Sequence, residues 1–291
     1  MSWSFATVAA TWDLSPRMRR VRMRLSDPER VVLPGSADEA YGLYFPNPGE
    51  PSNPMELRNG IWDFYDIEPA PSSRNYSVRA HDRVTSTIDI DFVNHHRGVA
   101  TTWAQNASVG DRIVVSHPRS WYQPEEGSDW QMLVADLAGL PAMARIIEEL
   151  DPATPAVAIV EVSDVADLEY LPIRDNVTVI PTVGTGNGHG PSALPDLVAA
   201  QPIPSGRGYC WFAAEAVPSR AVRKYFRREH GWPADQFDII GYWRFDSEVW
   251  DAKFEKVSDA LVAVYAQALA AGKGDKIASE EFDEALERAG L

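Results

Sequence analysis

The sequence predicts an antiparallel β-barrel, then an α/β domain with a parallel sheet, then a helical tail. Three observations carry this. The first ~120 residues fall into short runs of alternating polar and apolar residues bounded by turn residues. Beyond Glu125–Asp129 (EEGSD) the strands become continuously apolar and alternate with helices. Beyond Phe245 only helical periodicity remains.

In the first domain, placed at residues 1–124, Arg20–Leu25 (RVRMRL) alternates cations with apolar residues, so one face is buried. Tyr41–Phe45 (YGLYF) is a second short strand. Asn47–Gly60 (NPGEPSNPMELRNG), with three prolines, reads as a turn-rich loop. RNYSVRAH, TSTIDIDFVNH and DRIVVSHP follow as strands, and ATTWAQNASVGD as one short helix ending near Gly110. In the second domain, residues 129–246, WQMLVAD is a buried strand. Leu140–Leu150 is a helix with Pro141 in its first turn. AVAIVEV and VTVIPTV are strands, ALPDLVAAQ a helix, GYCWFAAE a strand, SRAVRKYFRREHG a helix and FDIIGYW the last strand. Val222 and Phe226 sit four apart on one helix face, and Gly231 supplies the stop. The extension, residues 247–291, reads as one helical stretch, VWDAKFEKVSDALVAVYAQALAAG, and a second, SEEFDEALERAGL, starting at Ser279. It carries ten acids and five bases, and should pack one face on the body.

The 291 residues suit two ordinary domains, with 45% apolar and 24% charged side chains. A net charge of -15 repels phosphate backbones, so nucleic acid is not an expected partner, and an anionic ligand needs a local basic cluster. The single cysteine, Cys210, excludes an internal disulfide and reads as a small buried residue. No apolar run approaches the ~20 residues that span a bilayer, and no secretory signal pattern opens the chain. A cytoplasmic monomer is expected. Ten tryptophans and ten tyrosines supply many flat side chains, most of them for packing.

Ligands of open parallel sheets sit beyond the carboxyl ends of the strands. Asp136, Glu161 and Glu215 stand at three such ends, and the amides opening helix 140–150 point to a pyrophosphate site. Each acid taken singly is more often a helix cap or a solvated loop residue. TVGTGNGHGP (Thr182–Pro191) has no dinucleotide or Walker register and reads as a flexible loop. His95 and His96 are adjacent and would point apart on a strand, a poor metal pair. His117 and His189 are isolated, no hydrolase triad spacing is present, and no metal site is expected. In RNYSVR (Arg74–Arg79), Arg74, Tyr76 and Val78 share one strand face, Ser77 and Arg79 the other. An arginine for a phosphate, a phenol beside a flat ring and a small hydroxyl suit an anionic aromatic cofactor such as a flavin dinucleotide. A solvated strand end is the plainer alternative.

Several segments together resemble the siderophore-interacting protein family, a branch of the ferredoxin–NADP reductase superfamily. They are Arg74–Tyr76–Ser77–Arg79, where the family shows R-x-Y-T-x-R; DFVNHHRGVATTWA (Asp91–Ala104); VADLAGLPAMARIIEEL; and WFAAEAVPSRAVRKYFRREHGWPADQFDIIGYWR (Trp211–Arg244). The likeness spans about residues 6–245. Ser77 replaces the usual Thr and keeps the hydroxyl. Val99 replaces the usual Pro and restores a backbone N–H, and Leu137 replaces a common acid.

The resemblance implies a six-stranded barrel holding FAD and an α/β domain admitting NADH or NADPH. It implies that Arg74, Tyr76, Ser77 and Val78 contact the flavin and its phosphates. Asp91, Phe92, Val93 and His95 would line the ring or ribityl side, Val99, Ala100 and Thr101 the pyrophosphate, and Trp243 would close beside the isoalloxazine. Ser77 would also tune the flavin N5 by a hydrogen bond. Asp136, Leu140, Pro141 and Glu215 would border the nicotinamide nucleotide, with Glu161 disfavouring a 2′-phosphate. The implied activity moves electrons from NAD(P)H, or from a ferredoxin-type donor, through FAD to siderophore-bound Fe(III), releasing Fe(II), a poorer guest for hard oxygen ligands. A basic rim for the anionic chelate is expected from Arg79, Arg119, Lys224 and Arg244. The alternatives are a reductase for other acceptors and a non-catalytic FAD-containing siderophore-binding protein.

Overall fold

The computed structural model describes residues 2–95 and 98–291. Six antiparallel strands close a barrel: β1 (Trp3–Ser15), β2 (Met18–Leu25), β3 (Ala40–Phe45), β6 (Ser72–Asp82), β7 (Thr87–Val93) and β8 (Arg112–Arg119). Their order around the barrel is β1-β2-β7-β6-β3-β8. Period-two alternation fills the interior, where Val21, Met23, Leu43, Val78, Ile88, Ile90 and Phe92 are buried. Between β3 and β6 a small hairpin of β4 (Glu56–Arg58) and β5 (Ile61–Asp63) packs outside the barrel, with Trp62 against Trp3. Helix α1 (Val99–Asn106) lies between β7 and β8.

Two elements were not anticipated. Strand β1 mixes small residues with aromatics (WSFATVAATWDLS) and breaks register at Val8/Ala10 and Asp13/Ser15, so its alternation is masked. The β4–β5 hairpin falls at the end of the segment read as a loop. Its turn is Asn59–Gly60, both at positive φ (52° and 82°), the pairing that a two-residue hairpin favours.

The second domain is a five-stranded parallel sheet ordered β11-β10-β9-β12-β13. The strands are β9 (Trp130–Ala135), β10 (Ala156–Val162), β11 (Val177–Val183), β12 (Gly208–Glu215) and β13 (Phe237–Trp243). Helix α2 (Leu140–Glu149) covers the face toward the barrel. Helices α3 (Leu194–Ala200) and α4 (Ala216–Lys224) cover the other, where Val222 and Phe226 are buried as the spacing predicts. A π-helical turn, Tyr225–Glu229, prolongs α4, and Gly231 at φ 68° follows it. Cys210 is fully buried and burial pushes its thiol far up, as expected of a packing residue.

The tail holds three helices: α5 (Ser247–Phe254), α6 (Ser258–Ala270) and α7 (Asp275–Arg288). The first predicted helix is thus broken near Val257, and α7 starts four residues before Ser279, with Gly274 at its N-cap. Among the described residues no helix is long and apolar enough to cross a membrane, and no cluster of His, Cys, Asp and Glu could hold a metal.

Charged side chains join barrel to sheet domain. Arg17 meets Asp167 at 2.7 Å, and Tyr170 Oη donates to Asp91, which Arg20 of the neighbouring barrel strand grips at 2.6 and 2.7 Å. Arg145 of α2 donates to Glu39 at 2.8 Å and to the Val78 carbonyl at 3.2 Å.

Candidate functional site

The barrel face of the site is built on β6. Tyr76 is half-buried, its ring 4.4 Å from that of Phe92, which lies in the barrel core. Arg74 is exposed beyond it; its guanidinium donates to the Ser73 carbonyl at 2.7 Å, and no carboxylate among the described residues pairs with it. Helix α1 begins after Gly98, whose φ of 127° is a conformation that side chains rarely adopt. No side chain among the described residues caps α1 and no acid stands in its first turn, while Thr101 Oγ1 donates to the Val93 carbonyl at 3.1 Å. Val99 is the first helical residue, so a residue other than proline there adds one more helix-terminal N–H to the row with Ala100 and Thr101. His96 lies outside the described residues.

Ser77 and Arg79 point the other way, toward the sheet domain. Ser77 is buried and its Oγ lies 3.4 Å from the Tyr242 hydroxyl. The Tyr242 ring sits 6.1 Å from Trp121 and edge-on to Trp211 at 6.4 Å. The Trp211 indole donates to Asp38 at 3.0 Å. Asp38 is fully buried and also accepts the Trp121 and Tyr122 amides at 3.0 and 2.8 Å. Burial pushes the Asp38 carboxyl up, and those donors oppose it.

The opposite wall is formed by the carboxyl ends of β9, β10, β12 and β13. Asp136, 1% exposed, accepts from Trp243 Nε1 at 2.5 Å, the Ala138 amide at 2.9 Å and the Glu215 amide at 3.1 Å. Burial pushes its carboxyl up to about 7 against the pull of these donors. Gly139 lets α2 approach β12: a Cβ there would sit 2.1 Å from the Ala213 carbonyl. The glycine-rich loop is pinned across these strand ends. Asn187 accepts the Leu137 amide at 3.0 Å and donates to the Glu161 carbonyl at 3.1 Å. Glu161 accepts Thr185 at 2.8 Å and the Ala193 amide at 2.7 Å. Burial raises Glu215 too, opposed by the Phe245 amide that it accepts.

Several expected roles change on this geometry. Asp91 faces outward and is consumed by Arg20 and Tyr170 at the domain junction, whereas Phe92 turns into the core behind Tyr76. Trp243, expected beside the isoalloxazine, donates to Asp136, while its neighbour Tyr242, on the opposite strand face, meets Ser77. Asp136 occupies the amides ahead of Leu140 and Pro141 that were expected to greet a pyrophosphate. Glu161, expected to disfavour a 2′-phosphate, stands at the end of β10 with its carboxylate bonded to Thr185 and the Ala193 amide. Of the rim, Arg79 sits at a β-bulge that aims it at Glu148 (2.5 Å), Lys224 pairs with Glu287 (2.5 Å), and Arg244 stacks 3.9 Å over Trp250. Arg119 has no carboxylate partner among the described residues, and its Nε donates to the His117 carbonyl at 3.0 Å. It pairs across β3 with Ala40, which in turn pairs with Ser77, and burial pulls its pKa down.

A closed six-stranded barrel abutting the carboxyl ends of a 3-2-1-4-5 parallel sheet is the fold of the ferredoxin–NADP reductases. A ferredoxin NADP+ reductase from Neisseria gonorrhoeae shares this fold (TM-score 0.59, 10% identity, 84% of this chain and 100% of that one). Residues 7–122 match the siderophore-interacting FAD-binding domain, and residues 128–246 match the siderophore-interacting protein model. The chain is 30% identical over 233 residues to an NADPH-dependent ferric-chelate reductase of Escherichia coli, covering 74% of this chain and 86% of that protein. A siderophore utilization protein from T. fusca superposes with a TM-score of 0.73 at 29% identity, covering 83% and 92%. The chain belongs to the siderophore-interacting protein family. The unpaired Arg74, the uncapped α1 and the half-buried Tyr76 fit the phosphates and flat ring of FAD.

Proposed function

We propose that this chain is a flavin-dependent ferric-siderophore reductase that draws electrons from NADPH or NADH and releases Fe(II). The observation that carries the reading is the alignment of two unlike walls. The barrel offers a cation with no carboxylate partner and helix amides with no side-chain cap among the described residues, and the sheet domain meets it at the carboxyl end of β13, where Tyr242 reaches Ser77. FAD, when bound, supplies the exchange between a two-electron donor and one-electron deliveries.

The chain's own residues bind, orient and shield. Arg74 and the amides of Val99, Ala100 and Thr101 hold the phosphates. Tyr76, backed by Phe92, supports the ring, and Ser77 offers a hydroxyl beside it. Tyr242, steadied by Trp121 and Trp211, keeps water from the junction, and Asp136 holds the Trp243 indole at the nicotinamide side. Arg119 gives the ferric chelate a cation in an otherwise acidic surface. The reading places the reaction in the cytoplasm, with its supply of nicotinamide nucleotides.

The experiment is anaerobic absorbance on the FAD-loaded chain. NADPH or NADH should bleach the flavin band, and a ferric siderophore should restore it as Fe(II) is trapped by a ferrous chelator. A band that neither nicotinamide bleaches, or that a ferric siderophore leaves bleached, would refute the proposal.

A further inference from the structure

The tail lies beyond both family matches. Its apolar cluster is made of its own residues, Leu261, Ala285 and Leu286 with Trp250, Phe254 and Phe282 around them. Its polar bonds to the body are carried by charged side chains. Arg223 and Arg227 meet Asp283 and Glu280 in an inner, sheltered row. Lys224 and Arg228 meet Glu287 and Glu284, at 2.5 and 2.6 Å, in an outer, more exposed row. In both rows the numbers rise along α4 and its π turn as they fall along α7. The helices are therefore antiparallel, with four-residue steps on one matched by three-residue steps on the other. Arg220 closes the series on the Leu291 carbonyl at 2.5 Å.

We propose that α5–α7 is a latch held on α4 by charge, and that latching positions the end of β13. The link runs through Arg244. It stacks on Trp250 of α5, and it directly follows Tyr242 and Trp243, which reach Ser77 and Asp136. Docked, the tail pins Arg244, and with it the strand end that carries both aromatic contacts. Undocked, it frees Arg244 and the cations of α4 together. The latch itself is independent of the proposed activity; the positioning role rests on it.

The test uses the full, FAD-loaded chain and hydrogen exchange resolved by peptide. Between 0.1 and 1 M NaCl the screening length falls from about 10 to about 3 Å. Exchange of α7 should then speed at least about tenfold while β9 and β12 hold. Unchanged α7 protection would overturn the latch, since salt does not loosen a tail held by apolar contacts. A second arm compares the one-sided reversal Arg223→Glu/Arg227→Glu with the swap that adds Glu280→Arg/Asp283→Arg. The first should release α7 and the second restore it; release by both would also overturn the latch.

NADPH affinity, titrated by tryptophan fluorescence, should weaken about fivefold in the one-sided variant and recover in the swap. Release of α7 with unaltered affinity would overturn the positioning role. Absence of NADPH and NADH binding by the unmodified chain would instead strike at the proposed function and leave the latch standing.

Discussion

Asp136→Asn isolates one buried carboxyl and gives a prediction with a definite sign. In the fold, Asp136 is pushed from its ordinary 3.8 up to about 7, mainly by burial. The folded state then holds this proton more tightly than the unfolded chain does. Its contribution to stability is fullest below pH 4, declines as pH climbs toward 7, and is flat above that. At 1.36 kcal/mol per pH unit the full decline is at most ~4 kcal/mol. Asparagine keeps the volume and one acceptor but cannot serve both sets of donors, a cost of ~1–3 kcal/mol that does not vary with pH. Urea unfolding at pH 5, 6, 7 and 8 should therefore show wild type losing ground relative to the variant as pH rises. Asp38, Glu215 and Asp238 are also pushed up by burial, but they titrate in both proteins and cancel in the difference. Parallel pH profiles for the two proteins would refute the assignment of a buried, proton-retaining carboxyl at this strand end.

Trp243→Phe removes the indole N–H that favours the charged form of Asp136, so the midpoint of this pH profile should move upward; a downward shift would contradict the hydrogen bond. Arg74→Ala should weaken FAD binding by ~1.5–3 kcal/mol, the worth of a bond to a charged group, in a fluorescence titration. Asp91→Asn should leave FAD affinity within about twofold yet lower stability by ~3 kcal/mol, because it strands Arg20 and Tyr170 at the junction. Removing the exposed partner of Arg19, Asp13→Ala, should cost under ~1 kcal/mol in the same unfolding assay.

How far the sequence spoke for itself differs by element. The continuous apolar strands of the sheet domain were legible because burial on both faces leaves an uninterrupted apolar run, as in AVAIVEV. The closing barrel strand β1 was not, because its bulges offset the alternation that a reader counts. The Asn59–Gly60 hairpin carried its signal in plain view, but three prolines upstream argued for a loop. In the site, the R-x-Y-S run marked the correct strand, and its alternation placed Tyr76 and Ser77 on opposite faces as found. The same rule, applied to GYWR, would have separated Tyr242 from Trp243. What it could not supply was which face met the barrel, since that depends on how the domains dock. Arg79, Lys224 and Arg244 were legible as cations, not as partners of Glu148, Glu287 and Trp250, which lie far along the chain. Asn187 had no signal beyond lying among glycines, and its bonds to Leu137 and Glu161 exist only once the sheet is assembled.

The most direct measurement of the central claim is the electron count in a single anaerobic mixing experiment. FAD-loaded protein reduced by NADPH is mixed with an excess of ferric siderophore, and the flavin band and trapped Fe(II) are followed together. The account predicts reoxidation of the flavin with about two Fe(II) formed per nicotinamide consumed. Flavin that stays reduced before the ferric siderophore, or reoxidises without Fe(II) appearing, would contradict it.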